Sequence, residues 1–552
     1  MSEKKIFGID LGTTYSCISY VDEFGKATIV PNSIGELITP SVVFFEDDEV
    51  TVGTIAKELV KIHPQQVVTF IKRDMGKNYT KEIDGRTYRP EEISSYIIRK
   101  LVDDAKNLTG MEIKDVVITC PAYFGQNEKE ATKQAGEIAG LNVVAVLQEP
   151  VAAAITYGLD RSRHKDLKNK VIMVYDLGGG TFDATLIELT KDKISVISTD
   201  GDHDLGGKDW DDILIEYCQA QYKEQTGKEN DLMDDNETVQ ELYLSCENAK
   251  KFLTSRKTVK LFFTFEGDKI SFDLSREKFD ELTMDKLERT IQKTNEMLKN
   301  AKVKGYERID EILLVGGSTR MPQVQKRLTK EYGIEPLMFD PDQAVAKGAA
   351  LYGQKRLIEE MILEITKAND LKALTPGELS DAIEVIPYTL PPGSNSDGGI
   401  VPFVSTTITT VPSKSFGVIG LSKEGKKVIK NLIIKNDKKL PYEITERFGT
   451  DVANQEDIQV QVVENDSVKN TVEDLKMGNV LGELLIEGLP QGLPVNSPVD
   501  ITFKMDVTGL LEITALEVTG NNLVKTTIQS DQVMNEMEFE EARRKSSGIR
   551  VM

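Results

Sequence analysis

The spacing of apolar and polar residues divides the chain into three parts. As far as about residue 366, short apolar runs with glycine-containing turns alternate with helix-length amphipathic segments, a pattern typical of an α/β domain. Residues 367–412 contain six prolines and the run PPGSNSDGG, which predict a linker. From 413 to 530 apolar residues recur at every second position, which predicts an antiparallel β-domain. The charged tail, residues 531–552, has room for one short helix.

Two hairpin patterns in the first part carry the same turn chemistry. Residues 6–20 and 171–189 each run from an apolar strand through Asp-Leu-Gly and small residues into a second apolar strand. The glycines would let a phosphate approach backbone N–H groups without a Cβ in the way. Asp10 and Asp176 would repel that phosphate unless a hydrated Mg²⁺ lay between them. One copy alone is most simply an ordinary hairpin, but the pair favours a clamp whose two lobes close on one nucleotide.

Three further features are ambiguous by themselves. Lys72, in the segment TFIKRDMGK, is more typical of a surface basic pair than of a catalytic residue. Glu149 stands at a strand-to-helix switch before Pro150, where a glutamate serves the helix dipole as readily as catalysis. The helix predicted over residues 242–255 places four residues on one face, which usually means a solvated salt-bridge face. They are Glu247, Lys250, Lys251 and Thr254.

Two glycine pairs extend the pattern. Gly206 and Gly207 form a turn into a predicted helix, and residues 312–328 repeat the order strand, two glycines, helix. A nucleotide base or sugar could lie on Gly316 and Gly317.

Composition excludes several classes of protein. The chain has 552 residues, with 68 basic and 90 acidic side chains, and this excess of acid argues against nucleic acid or an anionic membrane as the main partner. It has no apolar run of membrane-spanning length, and its beginning lacks the apolar core of a signal peptide. The four cysteines are widely spaced, so no disulfide framework or metal site is indicated. A cytoplasmic protein is the simplest expectation.

Taken together, these segments resemble the DnaK-type (heat shock protein 70) chaperones. The resemblance covers about the first 350 residues in the family's order and, more loosely, the β-domain. The segments that carry it most clearly are IDLGTTYS (9–16), QEPVAAAITYGLD (148–160), YDLGGGTFD (175–183), ENAKKFL (247–253), LVGGSTRMP (314–322) and PDQAVAKGAA (341–350). The resemblance implies an actin-like, two-lobed ATPase domain over residues 1–366, followed by a β-sandwich peptide-binding domain.

The resemblance also implies roles for individual residues. Asp10 and Asp176 would hold a hydrated Mg²⁺, and Thr181 and Asp183 would place K⁺ and the attacking water. Lys72 and Glu149 would orient that water and stabilise charge at the γ-phosphate. ATP or ADP would be bound by Gly12, Thr13, Thr14, Tyr15, Gly178, Gly179, Gly180, Thr181, Gly206, Gly207, Glu247, Lys250, Lys251, Thr254, Gly316, Gly317, Ser318, Arg320 and Asp342. An extended unfolded peptide would bind at Leu421, Phe448 and Ile458.

The sequence also departs from the family pattern. Lys251 replaces an adenine-stacking arginine, Ala145 replaces an arginine that contacts J-domain co-chaperones, and Asp451 stands where a small apolar residue is expected over the peptide. The short leucine-rich linker and the helical lid of the family are not found. These differences put the coupling between the domains in doubt.

Four functions therefore remain open. The first is an ATP-hydrolysing chaperone without a lid, with a J-domain protein and a nucleotide-exchange factor as possible partners. The second is a nucleotide-dependent regulator whose β-domain binds one dedicated protein. A small-molecule kinase is a third, although no second substrate pocket is visible in the sequence. An actin-like filament protein is a fourth, and the attached β-domain argues against it.

Overall fold

The computed structural model describes residues 4–162, 169–190, 192–368, 406–422, 424–520, 522–527 and 532–552. Over these residues the helices are α1 Thr54–Leu59, α2 Pro90–Thr109, α3 Gln126–Ile138, α4 Glu149–Ser162, α5 Gly207–Thr226, α6 Asn236–Phe252, α7 Arg276–Leu282, α8 Met284–Val303, α9 Pro322–Tyr332, α10 Ala344–Ala368 and α11 Glu536–Gly548. Single 3-10 turns lie at Ile71–Asp74, Leu232–Asp234, Gly317–Arg320 and Leu475–Met477.

Strands make up most of the remaining regular structure. As far as the linker they are β1 Ile6–Asp10, β2 Tyr15–Val21, β3 Ala27–Val30, β4 Thr39–Pro40, β5 Val43–Glu46, β6 Glu49–Val52, β7 Val67–Val68, β8 Lys81–Ile83, β9 Arg86–Tyr88, β10 Asp115–Cys120, β11 Asn142–Gln148, β12 Lys170–Leu177, β13 Phe182–Leu189, β14 Lys193–Asp202, β15 Thr258–Phe265, β16 Asp268–Ser275, β17 Glu311–Val315 and β18 Leu337–Met338. After it they are β19 Thr407–Thr409, β20 Ser415–Leu421, β21 Lys427–Ile433, β22 Tyr442–Gly449, β23 Asp457–Asn465, β24 Thr471–Val472, β25 Asn479–Glu487, β26 Pro498–Met505, β27 Leu511–Glu517, β28 Asn522–Thr527 and β29 Arg550–Val551.

The first sheet has the strand order β11-β10-β1-β2-β3, with β4 paired to β2. The predicted hairpin 6–20 forms its centre, because β1 pairs antiparallel with β2 and parallel with β10. A strand covered on both faces needs apolar residues throughout, and Phe7 and Ile9 are fully buried accordingly. Helices α2 and α3 contribute Ile97 and Ala135 to the same core.

The second sheet has the order β18-β17-β12-β13-β14-β19 and contains the other predicted hairpin. Its strands β12 and β13 pair antiparallel so that Asp176 lies opposite Asp183. Helices α4 and α10 lie against both this sheet and the first one, since their alanines share a core with strands of each. Their backbones approach closely at Gly348, where any Cβ would lie 1.9 Å from the Ala152 carbonyl oxygen. This mixed α/β architecture is consistent with the actin-like ATPase fold.

The predicted β-domain contains two antiparallel sheets, which we call the C-terminal sheet pair (β20–β28). Their strand orders are β24-β21-β20-β23-β25 and β22-β26-β27-β28, and inward side chains of both sheets form one core. The period of two places Val460 and Val462 inside, while Gln459 and Gln461 face outward and bind Glu483. Each buried aliphatic side chain of this kind contributes roughly 1.5–3 kcal/mol through the hydrophobic effect.

Part of the predicted linker belongs to a sheet. Residues 369–405 lie outside the described residues, but Thr407–Thr409 pair in parallel with Lys193–Ser195 at the edge of the second sheet. The hydroxyls of Ser195 and Thr409 are 2.7 Å apart and support this pairing. The β-branched side chains of Thr407 and Thr409 suit a strand.

The tail forms more than the one helix that the sequence indicated. Helix α11 lies against α2 and α3, and β29 adds a strand to the small sheet β29-β6-β5-β7. In the described part of the chain, no helix is long and apolar enough to cross a membrane. The predicted domain boundaries at residues 366, 412 and 530 stay predictions.

Candidate nucleotide site

The two glycine-containing turns meet face to face. A Cβ on Gly179 would lie 2.3 Å from Thr14 Cγ2, and one on Gly180 would lie 2.4 Å from Thr13 Cγ2. Real Cβ atoms do not approach other atoms so closely, so both positions need glycine for this packing. The sequence suggested that glycines in these turns let a phosphate approach. The same glycines are therefore also required for the two turns to pack against each other.

Carboxylates collect at the base of these turns. Asp10 ends β1, Asp176 lies near the end of β12, and Asp183 is the second residue of the returning strand β13. Thr119 Oγ1 donates a hydrogen bond of 3.0 Å to Asp10, and the backbone N–H of Tyr123 donates one of 2.9 Å to Asp183. The chain thus brings acids from both sheets to one place in its interior.

A buried ion pair completes this acidic cluster. Lys72, in the 3-10 turn Ile71–Asp74, donates from Nζ to Glu149 Oε1 at 2.7 Å, and both side chains are at most one-tenth exposed. Glu149 is the first residue of α4, where the helix dipole favours its charge. Its sequence context suggested a surface position for Lys72. The side chain is buried instead, because the carboxylate of Glu149 compensates its positive charge.

The pKa values of the three aspartates in this cluster are raised, because their side chains are buried and the positive charge nearby does not compensate the negative charge. Burial and the neighbouring Glu149 raise the pKa of Asp10 from 3.8 to about 7 and that of Asp183 to about 8. The pKa of Asp176 is raised well above its ordinary value, through burial and then through Glu149 and Asp183. Burial works against the charge of Lys72, but Glu149 and Asp10 raise its pKa above 10.5.

The chemistry of these donors fits a hydrated Mg²⁺. A divalent cation would compensate the negative charge of Asp10, Asp176 and Asp183, whose pKa values are raised by burial and by the neighbouring Glu149. No group of three or more histidine, cysteine, aspartate or glutamate side chains among the described residues could hold a metal unaided. Mg²⁺ commonly keeps several waters and takes one or two carboxylates together with phosphate oxygens, so two aspartates are a suitable protein contribution.

A third glycine turn forms another wall of the site. Gly316 has φ +83°, a conformation that favours glycine, and a Cβ there would lie 2.4 Å from the Leu177 carbonyl oxygen. Ser318 in the following 3-10 turn donates to the carbonyl of Gly178 at 2.8 Å. Arg320 pairs with Asp342 at 2.5 Å on the rim. The third turn is therefore fixed directly to the second.

Helix α6 supplies the opposite wall. Lys57 of α1 contacts Glu247 at 2.5 Å and Lys251 contacts it at 2.7 Å, while both ammonium groups also donate to the Tyr15 hydroxyl. Burial would raise the pKa of Glu247, but Lys57 and Lys251 lower it to about 2. Lys250 donates to the Gly207 carbonyl and to Asp211. The ion pair from Lys57 to Glu247 connects α1 with α6 across the entrance.

One cavity of about 660 Å³ lies between all of these elements. Every residue predicted to bind nucleotide lines it except Gly180 and Gly206, which lie in the packed contact behind the turns. Lys72, Glu149, Asp10 and Asp176 line it as well. Asp183 does not line it, and one oxygen of its carboxylate accepts a hydrogen bond from the Tyr123 N–H. Thr254 lines the cavity although α6 ends before it, at Phe252.

Some residues of the site were missed in the sequence. Arg73, seen only as part of a basic pair, donates to the Gly180 carbonyl at 2.8 Å and to Asp209 at 2.5 Å. Lys57 lies in a short helix with no motif around it, and Tyr123 lies in the connection between β10 and α3. The position of Arg73 directly after Lys72 could have indicated that Arg73 belongs to the site. Nothing in the sequence around Lys57 indicated this.

The predicted peptide-binding residues lie in the C-terminal sheet pair. Ile458 and Phe448 belong to its shared core, Ile458 buried and Phe448 partly buried. Leu421 ends β20, is 42% exposed and lies outside that core. The structure thus brings two of the three together, and their role in peptide binding stays a prediction. Asp451 lies exposed in the loop after β22.

A family model described as Hsp70 protein matches residues 6–84, 78–366 and 415–550. The chain belongs to the Hsp70 family. Hsp70 proteins are ATPases that bind ATP and ADP with Mg²⁺ and act as chaperones on unfolded polypeptides. The matched ranges include both hairpin turns, the acidic cluster and the C-terminal sheet pair.

Proposed function

We propose that this Hsp70 protein hydrolyses ATP to ADP and phosphate and binds extended unfolded polypeptide segments in its β-domain. The two sheets around the cavity would be the two lobes of the ATPase domain, and the C-terminal sheet pair would be the peptide-binding β-sandwich. One observation carries the proposal. The buried pair of Lys72 and Glu149 lies beside Asp10 and Asp176 in one cavity, between three glycine turns.

This arrangement supports phosphoryl transfer to water. The backbone of the turns around Gly12, Gly179 and Gly317 would hold the phosphates, and Lys72 would stabilise the charge that develops on the transferred phosphoryl group. Glu149, oriented by Lys72, would accept a hydrogen bond from the attacking water and align it. Held by Asp10 and Asp176, Mg²⁺ would neutralise charge on the phosphate oxygens.

Thr181 and Asp183 would complete the site on the side of the second sheet. Asp183 is buried and held by the Tyr123 N–H at 2.9 Å, so its carboxylate has a fixed direction. Thr181 lines the cavity between the second glycine turn and β13. We assign to this pair a monovalent cation, K⁺, and the placing of the attacking water. Replacing K⁺ by Na⁺ or Li⁺ in the assay should lower turnover if the assignment is correct.

Contacts between the C-terminal sheet pair and the ATPase domain support the chaperone assignment. Asn436 exchanges two hydrogen bonds with the backbone of Thr199, and Asp466 accepts one of 2.5 Å from the Tyr123 hydroxyl. Tyr123 also holds Asp183, so its backbone and side chain connect the nucleotide site to the peptide-binding part. Peptide binding is therefore expected to change the rate of ATP hydrolysis. An adaptor with one dedicated protein partner need not show such a change with peptides of arbitrary sequence.

The experiment is to measure the ATPase rate with and without a panel of short unfolded peptides of varied sequence. Stimulation by many apolar peptides is the expected result. Hydrolysis that responds to none of them, with no peptide bound on an array, would remove the chaperone function and favour a regulator with one protein partner.

A further inference from the structure

One lysine of the C-terminal sheet pair points between the two sheets. Lys430 of β21 lies directly opposite Val418 of β20 in their antiparallel pairing, and directly opposed residues share a face of the sheet. Val418 is buried in the core that both sheets share, so Lys430 also faces inward. An inward position between two sheets usually holds an apolar residue, as Leu432 does two positions later on the same strand. A charged residue here therefore indicates a role other than filling the core.

The side chain of Lys430 extends past β20 toward the facing sheet. A Cβ on Gly420 of β20 would lie 3.9 Å from Lys430 Cδ, so the aliphatic part of the lysine passes beside the space that a larger residue would fill. The ammonium group lies 5.3 Å from the centre of the Phe448 ring on β22. The face of an aromatic ring attracts a cation, which holds the ammonium group in this direction. Lys430 thus lies beside one of the residues predicted to bind peptide.

The charge of Lys430 is not compensated by the protein. Among the described residues, its ammonium group has no carboxylate within 4 Å and donates no hydrogen bond, although the side chain is only partly exposed. Glu446, two positions before Phe448, is exposed and forms no ion pair with it. The neighbouring Arg447, by contrast, donates to both oxygens of Asp500 at 2.6 and 2.7 Å. Lys430 therefore keeps a positive charge that a ligand can use.

The main chain beside Lys430 is open on one side. Strand β20 pairs with β23 only as far as Val418, while its pairing with β21 continues to Leu421. In the part of the chain that the structure describes, residues 419–421 thus have no strand partner on the β23 side. An extended peptide can bind such an edge through its main chain, and its side chains then alternate between the two faces. Every second side chain would point to the face on which Lys430 and Phe448 lie.

We propose that Lys430 selects peptides that carry a carboxylate beside their apolar residues. This inference rests on the proposed function, that the β-domain binds extended polypeptide segments, and it names the class of peptide. The carboxylate would belong to an aspartate, a glutamate or the C-terminus of the peptide, and it would accept a charge-assisted hydrogen bond from the Lys430 ammonium group. Because this group is partly buried, salt would screen the ion pair less than one at the surface.

The overall charge of the chain would favour the opposite class of peptide. With 90 acidic and 68 basic side chains, long-range attraction favours basic peptides over acidic ones. A preference for acidic peptides would therefore have to come from a local positive charge such as that of Lys430.

Binding of short peptides to the full chain tests the proposal. An apolar host peptide, labelled at its N-terminus and amidated at its C-terminus, is made with glutamate and then with glutamine at each position in turn. Fluorescence anisotropy gives the Kd of each peptide. For the wild type, glutamate at one or more positions should lower Kd by about 10-fold or more relative to glutamine, the effect of one charge-assisted hydrogen bond. A second set with free C-terminal carboxylates distinguishes a side-chain carboxylate from the C-terminal one.

Two variants and a matched control assign the preference to Lys430. Lys430→Gln should lower the ratio of the two affinities to about one, and Lys430→Glu should make a lysine-containing peptide bind more tightly than the glutamate one. Lys427→Gln should keep the wild-type ratio, because Lys427 is exposed on the other face of the same strand. The ratio of two affinities in one variant does not depend on the fraction of protein that is folded, so partial misfolding does not obscure the result.

The possible outcomes separate this inference from the proposed function. Equal binding of the carboxylate and amide peptides by the wild type in both sets would overturn the role of Lys430 and leave peptide binding intact. A carboxylate preference that persists in Lys430→Gln would overturn it as well. A chain that binds no peptide of either set would contradict the proposed function itself, and this inference with it.

Discussion

Lys72 and Glu149, 77 positions apart, form an ion pair of 2.7 Å inside the protein. Neither charge could stay buried without the other, and breaking a buried pair by removing one partner costs about 3–5 kcal/mol. The pair lines the cavity at the end of the glycine turns, so its charges are available to a bound phosphate. Its position and its burial together make it the most informative target for substitution.

Lys72→Ala should lower kcat for ATP hydrolysis by roughly 100- to 1,000-fold, because a preorganised positive charge at the transferred phosphoryl group is lost. ATP affinity should change by only a few fold, since the glycine turns still hold the nucleotide. Single-turnover hydrolysis and calorimetric binding separate the two effects. Lys77→Ala, which removes an exposed lysine that pairs with Asp74, is the control.

Stability must be separated from catalysis in this variant. Lys72→Ala leaves Glu149 buried and uncompensated, so the free energy of unfolding should fall. The double variant Lys72→Ala with Glu149→Gln should recover much of that stability and none of the turnover. Wild-type-like hydrolysis in either variant would exclude Lys72 from the mechanism.

Arg73→Ala should weaken nucleotide binding by roughly 10- to 100-fold. Arg73 lies in the turn beside Lys72 and reaches across to the Gly180 carbonyl and to Asp209, so it holds the second glycine turn in the closed position. Arg73→Lys keeps the charge but loses the forked geometry and should recover only part of the affinity. Dissociation of a fluorescent ATP analogue measures the effect, and an unchanged off-rate in Arg73→Ala would show that this contact does not control closure.

Gly180→Ala should impair closure of the turns, although Gly180 itself does not line the cavity. The new Cβ would meet Thr13 Cγ2 at 2.4 Å, and such overpacking costs about 1–3 kcal/mol. ATP-induced thermal stabilisation should therefore decrease strongly. Gly420→Ala, where the nearest atom to a Cβ is Lys430 Cδ at 3.9 Å, should behave as the wild type. Equal thermal stabilisation by ATP in both variants would contradict the packing argument.

His203 should contribute a part of the stability that is lost at acid pH. Its ring stacks on Phe124 at 5.7 Å and contacts Tyr123 at 5.0 Å, and burial followed by the charge of Lys414 lowers its pKa from 6.5 to about 4. Asp466 and Asp204 oppose this shift, and Lys77 adds to it. Because the folded protein resists protonation of His203, the contribution of His203 to stability should be fully present above about pH 6.5 and should be lost between pH 6.5 and 4, by up to about 3 kcal/mol.

Urea unfolding of His203→Phe and wild type across this pH range measures that contribution. The variant should lose stability less steeply on acidification, whereas His63→Phe, at an exposed histidine beside Phe44, should follow the wild type. If the free energy of unfolding changes with pH in the same way in His203→Phe and in the wild type, His203 is not the titrating group.

Much of the fold was predictable because the relevant signals are local. The hairpins 6–20 and 171–189 have buried apolar strands and turn residues within one short segment, and the β-domain has a sustained period of two. Residues 407–409 and 550–551 were not predicted as strands. Each is only two or three residues long and is held by backbone pairing with a distant strand, for which composition carries little information.

The site was predictable in part and for a different reason. Spacing alone suggested a phosphate clamp with Asp10 and Asp176, but it favoured a surface position for Lys72. The family resemblance placed Lys72 at the site, and the structure brings it to Glu149. Lys57 and Tyr123 had no local signal, because their importance arises from contacts with Glu247 and with Asp183 and Asp466, far away in the chain.

The central claim is that two glycine turns and two aspartates bind one nucleotide through Mg²⁺. Isothermal titration calorimetry of the full chain with ATP tests it most directly, first with Mg²⁺ and then with excess EDTA. We predict one site per chain with Mg²⁺ and a loss of affinity with EDTA, and a similar loss with Mg²⁺ in the double variant Asp10→Asn with Asp176→Asn. Absence of binding by the wild type with Mg²⁺, or binding that neither EDTA nor the double variant weakens, would contradict the account.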